Sequence, residues 1–169
     1  MSNQATAAAE VVETEQFLRA RVQNALFVFW KQPPTIEALD TAISTLRQTA
    51  SQQSGRAGLA IVSLSQQSPS QEANAHASRL GRQWGSEIAV LVMAQEARGF
   101  SAKINRVRMR TLMAIAGGLS KGPKNVAFVD TPEQAIEALE RGMREAGILE
   151  LPPGELTKAG AALIARCRG

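Results

Sequence analysis

Four short apolar runs recur along this chain at helix-length intervals: ALFVFW from Ala25, LAIVSLS from Leu59, IAVLVMA from Ile88 and NVAFV from Asn125. Short apolar runs bounded by polar turns read as strands, and LAIVSLS reads as one buried on both faces. The segments between them carry apolar residues at three- and four-residue spacing, the mark of helices with one buried stripe. Strands that alternate with helices pair in parallel through right-handed crossovers. This spacing commits the chain to a layered α/β domain.

The punctuation agrees with the periodicity. EQFLRARV alternates, with Phe17, Arg19 and Arg21 on one side and Leu18, Ala20 and Val22 on the other. Gln23-Asn24 then offers a two-residue turn into ALFVFW, so an antiparallel hairpin opens the domain. Thr35 is placed to cap a helix whose stripe is Ile36, Leu39, Ile43 and Leu46. Ser68, Pro69 and Gln71 predict a second helix start, with serine as cap, proline first and glutamine third. Thr131, Pro132 and Gln134 repeat that pattern before a stripe of Ala135, Ile136, Leu139 and Met143, which Gly147 should end. The expected fold is α/β, with a mixed, mostly parallel sheet of about five strands, covering helices and an extra C-terminal helix. Residues 1–14 are expected to be a disordered or loose arm, residues 15–147 the domain, and residues 148–169 a helical extension striped by Leu156, Ala159, Leu163 and Ile164.

Composition narrows the setting. A chain of 169 residues fits one domain and can bury a core without staples. Cys167 is the single cysteine, so no internal disulfide or cysteine metal cluster can form, as suits a reducing compartment. No apolar run approaches the roughly 20 residues that span a bilayer, and the first residues lack a secretory pattern. A cytoplasmic protein without membrane insertion is expected.

Charge supplies the candidate site. The net charge is +4, yet Ala97–Val129 holds seven bases and no acid, against 12 bases and 15 acids elsewhere. Lys103, Arg106 and Arg110 share one face at i, i+3, i+7 spacing, with Arg108 lateral to it. These four open a helix, where cations oppose the macrodipole and acids are the usual choice. Their placement points to an acidic protein surface or a small anion. The alternative is a solvated cationic face, paired with acids such as Glu72, Glu87 or Glu137. Ser68 and Ser70 are candidate phosphoacceptors at a helix N-terminus that would welcome the added anion; simple capping is the competing role.

Other classes find less support. Nucleic-acid binding wants several bases interleaved with aromatics, and the chain has no tyrosine, with its Phe and Trp in strand or core positions. No phosphate-binding loop, nucleophile elbow or metal-ligand spacing occurs, so neither catalysis nor a cofactor is expected. His76 is the lone histidine and suits packing or solvent; Glu96 and Asp130 are isolated acids at strand ends. Gly117-Gly118 and Gly122 fall at a helix end and not before a helix. Trp30 and Trp84 suit core or rim packing. FVFW, were it an edge, and the C-terminal helix are candidate homodimer surfaces.

Three features together resemble the STAS domain, the anti-sigma-factor antagonist family. They are ALFVFWK running into PPTIEALDTAI, GFSAKINRVRMR after IAVLVMA, and the closing VAFVDTPEQAIEAL. The resemblance spans residues 15–145 and implies a non-enzymatic bacterial regulatory or scaffold module that binds a protein partner such as a kinase-like regulator. The family's switch is a serine at the start of the helix after the central strand, in an Asp-Ser-Ser-Gly-like context. Here the matching stretch is SLSQQSPSQEANA, where Ser68 or Ser70 holds the position, no acid precedes the serines and no glycine follows. A binder of a nucleotide, phosphate or lipid headgroup at the basic helix start is the alternative.

Overall fold

The computed structural model describes residues 10–52, 55–96 and 125–169. Lys103, Arg106, Arg108 and Arg110, and the helix expected around them, lie outside the described residues. Six strands form one sheet in sequential order: β1 (Glu10–Glu13), β2 (Phe17–Val22), β3 (Ala25–Trp30), β4 (Ala57–Ser63), β5 (Ile88–Gln95) and β6 (Asn125–Val129). β1, β2 and β3 pair antiparallel, whereas β3 to β6 pair in parallel. The α/β class with a mixed, mostly parallel sheet is as expected.

The extra strand is β1, which falls within residues expected to be a loose arm. Its EVVE sequence has too little apolar content to announce a strand. It is held from outside instead: Glu10 pairs with Arg21 on β2 at 2.5 Å and Glu13 with Lys31, just after β3, at 2.7 Å. The hairpin turn at Gln23-Asn24 is present, with Val22 opposite Ala25. Gln23 takes φ +52°, and Asn24 is 1% exposed, its Nδ2 donating to Ile148 O at 2.6 Å. That bond ties the hairpin to the far end of the domain. ALFVFW becomes an interior strand with all six residues buried, so it offers no edge for self-association.

Two layers of helix sandwich the sheet. α1 (Ile36–Gln52) packs against Leu26, Val28, Leu59 and Leu91 on one face. Thr35 caps it, accepting the Ala38 N–H at 3.2 Å. Its buried line is Ala38, Leu46, Thr49 and Ala50; Ile36, expected in the stripe, is the first residue of the helix and is 40% exposed. α2 (Gln71–Trp84) buries only Ala73 and packs on α1. Ser70 caps it, not Ser68. Both serines suit the role, but a start at Ser70 puts Glu72 in the first turn and leaves Pro69 in the extended approach, where a proline is equally at home.

The other face carries α3 (Pro132–Glu145) and α4 (Glu155–Arg168). Thr131 and Gln134 form the expected reciprocal cap: Thr131 Oγ1 accepts the Gln134 N–H at 3.2 Å, and Gln134 Oε1 accepts the Thr131 N–H at 3.3 Å. Gly147, at φ +70°, ends the helix with Ile148 N–H on Met143 O and its own N–H on Arg144 O. This pair of bonds closes a helix through a left-handed residue. Ala135, Ile136, Leu139 and Met143 form the buried stripe as expected. α4 packs on α3 and β2, and Leu156, Leu163 and Ile164 join the same cluster as Phe27, Phe29 and Val92. The C-terminal segment is thus part of the core. Gly160 allows the close helix–helix approach, since a Cβ there would lie 2.8 Å from Ile136 Cδ1 and closer still to Cγ2.

Candidate functional site

Because β3 to β6 run in parallel, their carboxyl ends share one edge, the usual place for sites in open α/β sheets. Trp30, Ser63 and Gln95 stand in register there. The chain leaves β4 through Leu64 and Ser65, and Ser65 Oγ accepts the Gln67 N–H at 3.1 Å. This tight turn leads past Ser68 to Ser70. Ser70 Oγ accepts the Ala73 N–H at 3.1 Å, so the hydroxyl serves as the cap of α2. Both candidate serines therefore lie at the carboxyl edge, Ser68 in the loop and Ser70 on the helix terminus.

Glu96 and Asp130 follow β5 and β6 at the same edge. Glu96 pairs with Arg168, whose second branch reaches Glu133 in the first turn of α3 at 2.5 Å. The Glu133 carboxyl sits below its ordinary range, mainly because its own backbone N–H at the helix start donates to it, with Arg168 adding to the effect. One C-terminal guanidinium thus joins the exit of β5 to the start of α3. In sequence, Lys103, Arg106, Arg108 and Arg110 come seven to fourteen residues after Glu96, outside the described residues.

Glu140 has no counterpart in the sequence reading. It is 7% exposed, on the buried side of α3. Oε1 accepts the Gly154 N–H at 2.6 Å and an Arg144 N–H at 3.0 Å; Oε2 accepts the Thr157 N–H and hydroxyl, each at 2.7 Å. The carboxylate caps α4 from a neighbouring helix, in place of the side chain that Gly154 lacks. Burial pushes its pKa up, but the Gly154 N–H, the Thr157 hydroxyl, Arg144 and the Thr157 N–H outweigh burial and hold it at about 2. A group so fully committed positions α4 and is not a catalytic acid.

His76 is also committed. Its Nε2 lies 2.6 Å from Asp40 Oδ1 on α1, and its Nδ1 lies 3.2 Å from Arg79 Nη2. Arg79 can only donate, so Nδ1 accepts and Nε2–H donates to Asp40. The ring ties α2 to α1 through Asp40. Trp84 is half-buried at the rim with Arg47 stacked 3.5 Å over its ring, and Arg47 pairs with Glu87 at 3.6 Å. Glu87, one of the acids considered for the basic helix, therefore has a partner on α1. Among the described residues no group of three or more His, Cys, Asp and Glu side chains could hold a metal ion, and no helix is long and apolar enough to cross a membrane.

Sequence reasoning could not find Glu140 or Arg168 as organising residues. Apart from Arg144, four residues on from Glu140, their partners lie 14 or more residues away, and those of Glu140 include backbone N–H groups, which no side-chain pattern announces. No protein-family model matches this chain, and no curated protein matches it.

Proposed function

We propose that this chain is a non-enzymatic regulatory or scaffold module of a bacterial cytoplasm that binds a protein partner at the carboxyl edge of its sheet, in the manner of STAS domains. One observation carries the reading. The loop and cap holding Ser68 and Ser70 lie at the same sheet edge from which the chain passes, after Glu96, into the run with Lys103, Arg106, Arg108 and Arg110. A docking surface with four bases and a serine-capped helix start suits an acidic partner and a kinase-like regulator. Phosphorylation at either serine would add negative charge to the docking face, and a helix N-terminus accepts that charge without unfolding. The switch would therefore act on docking.

The test is charge reversal. Arg106→Glu with Arg110→Glu should abolish capture of the native partner, identified by affinity purification and mass spectrometry, while circular dichroism stays unchanged. Capture that survives both reversals defeats the proposal. A thermal shift with phosphate or a nucleotide, lost in the same variant and unaccompanied by any captured protein, would favour a small anionic ligand instead. Intact mass of the protein from its native host tests the serines; a chain unmodified under every growth condition removes them from the mechanism.

A further inference from the structure

The sheet ends in β1, whose outer side pairs with no strand among the described residues. Its register against β2 fixes which of its backbone groups face outward. The Thr14 N–H donates to Phe17 O at 2.8 Å across the turn that joins the two strands. Opposite residues of an antiparallel pair alternate between bonded and non-bonded positions, so Val12 with Arg19 and Glu10 with Arg21 are bonded pairs like Thr14 with Phe17. The N–H and C=O groups of Val11 and Glu13 therefore point away from the sheet.

Edge strands are commonly guarded by charge, and β1 carries two acids. Both are neutralised within the chain. Glu10 is bound to Arg21 at 2.5 Å, and Glu13 to Lys31 and to Arg166 at 2.7 Å each. The bonds from Lys31 and Arg166 hold the Glu13 carboxyl below its ordinary range. Between the acids, Val12 is 42% exposed, the most exposed large hydrophobic residue among the described ones. Arg19, opposite Val12, lies 5.5 Å over the Phe17 ring with its Nη1 buried and without a hydrogen-bond partner, and so leaves Val12 open to solvent.

We propose that β1 is a self-association edge, to which a second copy of this chain adds its own β1 antiparallel about a twofold axis at Val12. That register sets Val11 opposite the partner's Glu13 and Glu13 opposite the partner's Val11, so the outward N–H and C=O groups of both strands bond in pairs. The two Val12 side chains meet at the non-bonded position, where opposite residues approach most closely. Glu10 falls opposite the partner's Thr14, so no acid faces an acid. Centring the pairing on Val11 instead keeps only one bonded pair within Glu10–Glu13. The strand is thus its own complement, which favours a second copy over a foreign peptide. So short an edge makes the dimer weak and concentration-dependent. Across such an axis β3 to β6 of the two copies run in opposite directions, and their carboxyl edges open on opposite sides. The pairing edge is separate from the serine-bearing edge, so this inference goes beyond the function proposed above and can fail independently of it.

The test is sedimentation velocity of the full chain over a rising concentration series, which should show a monomer–dimer equilibrium. Val11→Pro removes an outward N–H from each copy and no bond to β2, a change that an edge strand tolerates, and should weaken the dimer at least about tenfold. Val12→Lys and Val12→Glu should each weaken it alone, because like charges then meet at the axis, and an equimolar mixture of the two should associate more strongly than either. Arg106→Glu with Arg110→Glu should leave the dimer intact. Should Val11→Pro fail to fold by circular dichroism, the Val12 mixture carries the test. A monomer at every concentration, association unchanged in Val11→Pro and Val12→Lys, or a mixture that associates no more than its components each overturn the proposal.

Discussion

On the face of the sheet that carries α3 and α4, charged groups near the core are matched. Glu140 satisfies the first turn of α4, Arg168 bridges Glu96 and Glu133, and Glu13 is shared by Lys31 and Arg166 at 2.7 Å each. On the face that carries α1 and α2, a buried guanidinium nitrogen goes unmatched, α2 buries one residue, and two aliphatic side chains stand in solvent. The sheet is the same in both cases. The difference teaches where each layer gets its stability: one from polar groups matched across elements, the other from the apolar line of α1 with little beyond it.

Breaking the matched face should have the largest effect. Glu140→Ala leaves two N–H groups, a hydroxyl and Arg144 without their acceptor, and should lower unfolding stability in urea by about 3 kcal/mol. Glu140→Gln, which keeps the shape and one acceptor, should fall between. The pH dependence has a definite sign. The folded pKa is about 2 against an ordinary 4.5, so the unfolded chain binds the proton more readily between those values. The contribution, on the order of 3 kcal/mol, is complete above that ordinary value and is lost as pH falls toward 2. Urea midpoints for natural and Glu140→Ala chains should converge across that acid window; a constant gap would mean that the carboxylate is not the source.

Packing on the same face comes next. A methyl group on Gly160 meets the branched Ile136, which cannot swing aside. Gly160→Ala should destabilise by about 1–2 kcal/mol, because overpacking outweighs the gain in helix propensity. Gly58→Ala meets the flexible end of Met143 and should cost less. On the other face, Ser70→Ala removes the α2 cap at about 1 kcal/mol. Hydrogen exchange should show α2 amides opening before those of α3, and equal protection would erase the contrast between the layers.

The legible parts of this fold were those written in local spacing. The apolar runs gave β3 to β6, Thr131-Pro132-Gln134 gave the start of α3, and Gly147 gave its end, because periodicity and caps act within a few residues. β1 was illegible because its four residues are held by Arg21 and Lys31 and not by their own pattern. Ser68, with Pro69 and Gln71 behind it, was the expected cap of α2, yet Ser70 caps it; both serines satisfy the local preference, so the pattern alone picked the wrong one. Of the candidate site, Ser68 and Ser70 lie at the carboxyl edge, and the four bases lie outside the described residues. Arg19 and Arg21 looked alike in FLRARV; which one finds a carboxylate depends on whether Glu10 or Val12 stands opposite.

That pair gives the smallest effect and the most direct comparison. Arg21→Leu forfeits an ion pair with an exposed Glu10 and one bond to Gln52, and should lower stability by about 0.5–1 kcal/mol. Arg19→Leu removes a buried donor that has nothing to bond, replaces it with a side chain suited to Val12 and Val28, and gives up the stack on Phe17. The two terms oppose each other, and relief of the unmatched donor should win narrowly, leaving stability unchanged or raised by up to about 1 kcal/mol. Denaturant midpoints of the two variants should therefore move in opposite directions from the same strand. If Arg19→Leu costs as much as Arg21→Leu, the guanidinium is matched in solution.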